Sequence, residues 1–263
     1  MDILSHTATG VAVGTVVAPF DKTSAWNKLK LILLGGFAGA LPDLDAFSLW
    51  SKFDAVVGSA FGLSIKGSAI YFGKYLLSHH GAWHSLFTAA ALPILWFVIS
   101  YLISVWRKAE FEFHTKLPFA CVFLFGFSFH LLEDMPTPAC VWGGVRFWSP
   151  SESYVGGWGQ IWWWNNYDIF LIICSVIVFN SANLFLSRFY LKWKRWVAMM
   201  VFGLGFALAV VQMSSRQYDY AYSGFAVEYT EKELESKREQ QRILGATVYA
   251  WMLKLDNAIP LNF

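Results

Sequence analysis

His130 and Asp134 stand four residues apart near the end of an apolar stretch that runs into Met-Pro-Thr-Pro. On a helix that spacing places both side chains on one face, one turn apart. The prolines end the helix, because proline lacks an amide N–H and clashes with the preceding turn. An imidazole and a carboxylate where membrane meets water are costly to bury, and such groups are candidates for function. The segment LPDLD at 41–45 adds Asp43 and Asp45, which share a face in an extended or irregular segment. Paired carboxylates favour a divalent cation. His79, His80 and His84 crowd into HHGAWHS at 79–85, and neutral imidazole is the commonest nitrogen ligand for zinc and related metals. His80 and His84 have helical spacing, yet Gly81 permits a break, so either His79 or His80 can join His84. His6 adds one more imidazole. Together these residue types support divalent-metal binding. Arg146 follows the His130/Asp134 pair, and a guanidinium there suits an anionic substrate, since it grips phosphate in a forked geometry. Each motif also has a plainer reading: a capped helix end, an Asx-type turn at 43–45, and an interfacial anchor at Arg146. Glu133 is expected to point elsewhere on its helix.

The elements that must position these groups are hydrophobic. Charged residues are only 14% of the chain against a usual soluble share of about 25%, and 56% are hydrophobic. That composition excludes an ordinary soluble enzyme and points to a polytopic membrane protein. A net charge of +2 gives no general pull toward nucleic acid. Cys121, Cys140 and Cys174 have no CxxC spacing and read as packing thiols. No cleavable signal peptide is expected.

The expected fold is all-α, with about six apolar helices, the first two short, and a polar C-terminal tail. Residues 7–20 are too short to cross roughly 30 Å of hydrocarbon unaided, and 31–47 form a second short segment. Residues 48–78 read as a loop with an interfacial helix. Spans are expected at 85–106, 117–133, 167–187 and 196–213. Residues 1–150 then form the metal-site domain, 151–213 a loop and two further spans, and 214–263 the tail, with a solvated helix at 228–242. Trp142, Phe147, Trp148, Trp158 and 162–164 read as an interfacial belt. Basic residues sort onto one side: Lys22, Lys28 and Lys30, then Arg107, Lys108 and Lys116, then Arg188, Lys192, Lys194 and Arg195. By the positive-inside rule that side is cytoplasmic. His6, Asp43, Asp45, His79, His80, His84, His130 and Asp134 then share the outer face, and His114 falls on the other.

His6, LPDLD at 41–45, HHGAWHS at 79–85, FSFHLLEDMPTP at 127–138 and FWSP at 147–150 resemble the YdjM-like family over roughly residues 1–150. The resemblance implies a membrane-bound, metal-dependent hydrolase, some members being under SOS (LexA) control. The family's histidine box is His-Arg-Gly-x-Thr-His-Ser. Here His79, Gly81, His84 and Ser85 match it, while His80 replaces arginine and Trp83 replaces threonine. The resemblance therefore favours His79 over His80 as ligand. Ala46 stands where relatives often carry a further histidine. The expected metal ligands are His6, Asp43, His79, His84, His130 and Asp134, holding one or two divalent ions, with zinc first and manganese or magnesium as alternatives. Six ligands exceed one catalytic zinc, which takes three protein ligands and a water. Asp45 is expected to bridge metals or accept a proton from water, and Arg146 to steady a phosphate oxygen. The expected substrate is a phosphoester or other ester of a lipid headgroup. A non-catalytic metal-binding stress protein and a transporter are the alternatives.

Overall fold

The computed structural model describes residues 1–186, 190–225 and 229–259. Asp2 opens helix α1 (Ile3–Val17) by accepting a hydrogen bond from the Ser5 amide, and a 3-10 turn, Ala18–Phe20, continues it. Ser24 caps α2 (Ala25–Ala40) in the same way through the Asn27 amide. At Pro42 the chain bends by 52° into a 3-10 turn, Pro42–Leu49. Two short helices follow, α3 (Ser59–Phe61) and α4 (Gly67–Tyr71). Ser85 caps the long α5 (Leu86–Trp106), and α6 (Phe113–Asp134) returns antiparallel to it. Two more apolar helices, α7 (Tyr167–Phe185) and α8 (Leu191–Ser214), precede α9 (Tyr229–Ala258), which breaks at Gly245. Among the described residues the only extended pairings are three isolated bridges.

Among the described residues five helices are long and apolar enough to cross a membrane, and α2 with its bent continuation makes a sixth if the two form one span. The chain is thus an all-α polytopic membrane protein. Two expectations change in detail. The first segment begins at Ile3 rather than 7, and Ile3–Phe20 reaches spanning length. Ser5, His6 and Thr9 are polar, but they are buried against protein and not exposed to lipid. The C-terminal segment is a docked helix for much of its length. Gln240 accepts from the Asp168 amide, and Tyr167 donates to Asp256. Of the basic side chains used to assign sidedness, Arg188 lies outside the described residues, as do Glu228 and residues 260–263 of the tail.

Glycine sets how closely the first two helices approach. A Cβ on Gly10 would lie 2.1 Å from the Gly35 carbonyl oxygen, and one on Gly39 would lie 2.3 Å from the His6 carbonyl oxygen. Small residues let membrane helices meet backbone to backbone. That contact brings His6 of α1 beside the α2 end, and α6 packs against both. Asn180 of α7 donates to Thr15 and to the Ala198 carbonyl, and so ties α7 to α1 and α8.

Candidate metal centre

Four chain segments deliver the side chains to one end of this bundle. His6 comes from the first turn of α1. Asp43 and Asp45 lie on the 3-10 turn that proline forces after α2. His79, His80 and His84 sit in the turns between α4 and α5, and His130, Glu133 and Asp134 end α6. His114, at the start of α6, is at the opposite end, about 24 Å from His130 at ~1.5 Å per residue.

His6, His79, His80 and His130 are held from behind by a hydrogen bond at Nδ1, while His84 Nδ1 stands beside Asp45 without one. His130 Nδ1 is 2.7 Å from the Gly39 carbonyl oxygen, and His80 Nδ1 is 3.2 Å from that of Gly144. Carbonyls only accept, so in both rings Nδ1 carries the proton and Nε2 keeps its lone pair. His6 Nδ1 is 2.8 Å from Glu133 Oε2, and Thr9 donates to the other Glu133 oxygen. Asp45 turns one oxygen to His79 Nδ1 and the other to His84 Nδ1, at 3.1 Å each. The free ring edges face carboxylates. His6 Nε2 is 3.1 Å from Asp134 Oδ1, where Met1 N also lies at 2.8 Å. His130 Nε2 and His80 Nε2 are 3.0 and 3.5 Å from Asp134 Oδ2. Asp43 Oδ1 is 3.6 Å from His130 Nε2 and 3.9 Å from His84 Nε2.

Two ligand groups result, Asp43/Asp45/His79/His84 and His6/His130/Asp134. In each, one ligand atom per residue lies within 4.8 Å of the others. The Asp43–His130 approach joins them. Nε2 of His6, His80, His84 and His130, together with Asp134 Oδ2, are buried without a hydrogen-bond partner. Buried polar groups are normally satisfied, and exceptions call for a reason. Nitrogen lone pairs and carboxylate oxygens converging on one space fit a divalent cation with mixed N/O ligands.

The histidine loop is electrostatically divided. Burial, and then the neighbouring His79, holds His80 well below the usual imidazole range. Burial also opposes charge on His84, but the Asp45 and Asp43 carboxylates outweigh it and raise His84 to about 10. Tyr71 stacks on His79 with ring centroids 4.8 Å apart, and Trp142 packs on both His79 and His80. Trp142 and Trp162 are therefore buried parts of the protein and not of an interfacial belt, whereas Trp148 and Trp158 are exposed as a belt requires.

The family comparison matches residues 1–218 to the description YdjM inner membrane protein. The chain belongs to the YdjM inner membrane protein family. No curated protein and no solved structure matches it. The YdjM match runs past Pro150, the end of the motif-bearing segment, and takes in α7, α8 and Arg216.

Within this YdjM chain the structure gathers His6, Asp43, Asp45, His79, His84, His130 and Asp134. Arg146 stands apart. Its guanidinium donates to the Ser151 and Pro150 carbonyls, while its backbone amide donates to the His80 carbonyl. One member of the cluster, Glu133, was not placed there by the motifs, and His80, the alternative to His79 as partner of His84, joins as well. His80 reaches it together with His79 because the segment is a series of turns, with His80 at φ 58°, rather than a helix. Glu133 faces α1, contrary to expectation. The available signal was His6 and Thr9, polar residues three apart on an apolar helix, which need a polar partner between them.

Proposed function

We propose that this chain is a membrane-bound, metal-dependent hydrolase acting on a phosphoester or other ester, with lipid headgroups as the substrate class. The observation that carries this reading is the convergence of four partnerless imidazole nitrogens and Asp134 Oδ2 at one end of a membrane bundle. His6, His130 and Asp134 would hold one divalent ion, and Asp43, His79 and His84 a second, zinc being the best match to the donor set. Ions bound there supply Lewis acidity and an activated water at neutral pH. The chain's own residues orient the donors. Asp45 fixes the rings of His79 and His84, Glu133 fixes His6, and the Gly39 and Gly144 carbonyls fix His130 and His80. Arg146 pins the loop after α6 to the histidine turn, and it would meet a substrate phosphate only by exchanging the Pro150 and Ser151 carbonyls. The positive-inside pattern supports placing the site on the outer face of the inner membrane.

A second reading, a non-catalytic metal clamp, is favoured by burial: the side chains of His6, His80, His84 and His130 are fully covered. Headgroup release from phosphatidylglycerol and phosphatidylethanolamine vesicles, with and without chelator, separates the two. Chelator-sensitive release is expected. Full metal occupancy without turnover of either lipid would favour the clamp.

A further inference from the structure

A cavity of about 220 Å³ lies between α1, α6, α7 and α8. Its walls are almost wholly apolar, with Phe129 and Leu132 on α6, Ile172 and Val176 on α7, and Phe206 and Val210 on α8. The polar lining groups, Thr9, Glu133, Gln160 and Ser214, gather toward the end of the bundle that carries the metal centre. Glu133 belongs to both places: it lines the cavity and holds His6 Nδ1 at 2.8 Å.

We infer that this groove seats one acyl chain of a lipid whose polar end lies at Glu133 and the metal centre. The inference rests on the lipid-ester reading above and specifies how such a substrate is held. Depth selects the occupant. Along α8 the lining runs from Phe202 to Ser214, about 18 Å at ~1.5 Å per residue. One leaflet of a bilayer is about half of roughly 30 Å. The groove thus begins at the level of the metal centre and ends near mid-membrane, as an acyl chain from that leaflet does. A soluble apolar ligand would have to cross the polar end, whereas a lipid already in the leaflet enters sideways.

The test uses the full chain in detergent with a phosphatidylglycerol probe carrying a diazirine at mid-acyl depth, at less than one probe per chain. Labelled residues are mapped by peptide mass spectrometry. Expected is labelling concentrated on α7 and α8 lining residues, at least fivefold above the exposed α5 face around Ile94 and Leu102, and competed by unlabelled phosphatidylglycerol. Val210→Trp and Met213→Trp, made separately, fill the groove while every metal-centre residue keeps its own side chain. Each is expected to cut the labelling fivefold or more with metal content unchanged. Equal, uncompeted labelling of α5 and α8 would overturn the inference, as would undiminished labelling in both tryptophan variants. Elemental analysis keeps the two readings apart: metal-free wild type with competed groove labelling would remove the metal reading and uphold the groove.

Discussion

Two buried charged sites lie at the same end of this bundle, and they are built on opposite plans. At the first, Arg216 after α8 places one guanidinium nitrogen 2.8 Å from both oxygens of Asp168 on α7. One cation meets one anion, and the Asp168 amide is met by Gln240. At the second, Asp43, Asp45, Glu133 and Asp134 face five histidines, and four Nε2 atoms and Asp134 Oδ2 find no partner. A matched pair balances its own charge and reads as a structural tie, even though Arg216 Nε is left without a hydrogen-bond partner. A cluster with more carboxylates than fixed cations, and with lone pairs aimed inward, is completed only by protons or by an added cation. The contrast separates charge that holds the fold from charge that holds a ligand.

The largest effect is expected at the tie. Arg216→Ala leaves the Asp168 carboxylate buried and unpaired, and is expected to cost about 3–5 kcal/mol. It would be read as a lowered melting midpoint, with metal per folded chain unchanged. Replacing both partners with apolar residues is expected to recover most of that loss. A next effect belongs to the cluster. With free zinc a thousandfold above Kd, the metal-loaded protein is expected to gain about 4 kcal/mol over the chelated form. His84→Ala and His130→Ala should abolish that difference. Equal midpoints with and without chelator in the wild type would place the cluster with the structural tie. Glu133→Gln, which weakens the grip on His6, is expected to lower metal affinity about 10- to 100-fold, measured by competition with a chelator of known affinity; an unchanged affinity would remove Glu133 from the site. The smallest effect is protonic. His84, pushed up to about 10, carries a proton near neutral pH in the ion-free protein, and a metal must displace it. Metal uptake in weak buffer at pH 7 is expected to release protons, and affinity to rise with pH below about 10. Proton-neutral uptake would contradict that ligand assignment.

Much of the fold was legible because spanning helices announce themselves by apolar length. Leu86–Trp106 needs only composition and the Ser85 cap to be placed. The ends of α1 and α2 were harder. Ser5, His6 and Lys28 break the apolar run, yet they continue their helices because neighbouring helices or water receive them. The ligand types and their gathering could be read from motif spacing and side-chain type. How the rings are aimed could not. Gly39 and Gly144 offer backbone carbonyls, which leave no trace in residue identity, and the left-handed turn at His80 defeats helical spacing. Charge and a place just after the His130/Asp134 pair suggest a substrate role for Arg146, and the direction of its guanidinium depends on a loop that folds back on itself.

A metal-edge anomalous difference map of the crystallised protein tests the central claim most directly. One or two peaks are expected at roughly 2.0–2.2 Å from imidazole nitrogens and carboxylate oxygens of His6, His130 and Asp134, and of Asp43, His79 and His84. A map from metal-supplemented crystals with no peak among these residues, or with its only strong peaks elsewhere on the chain, would contradict it.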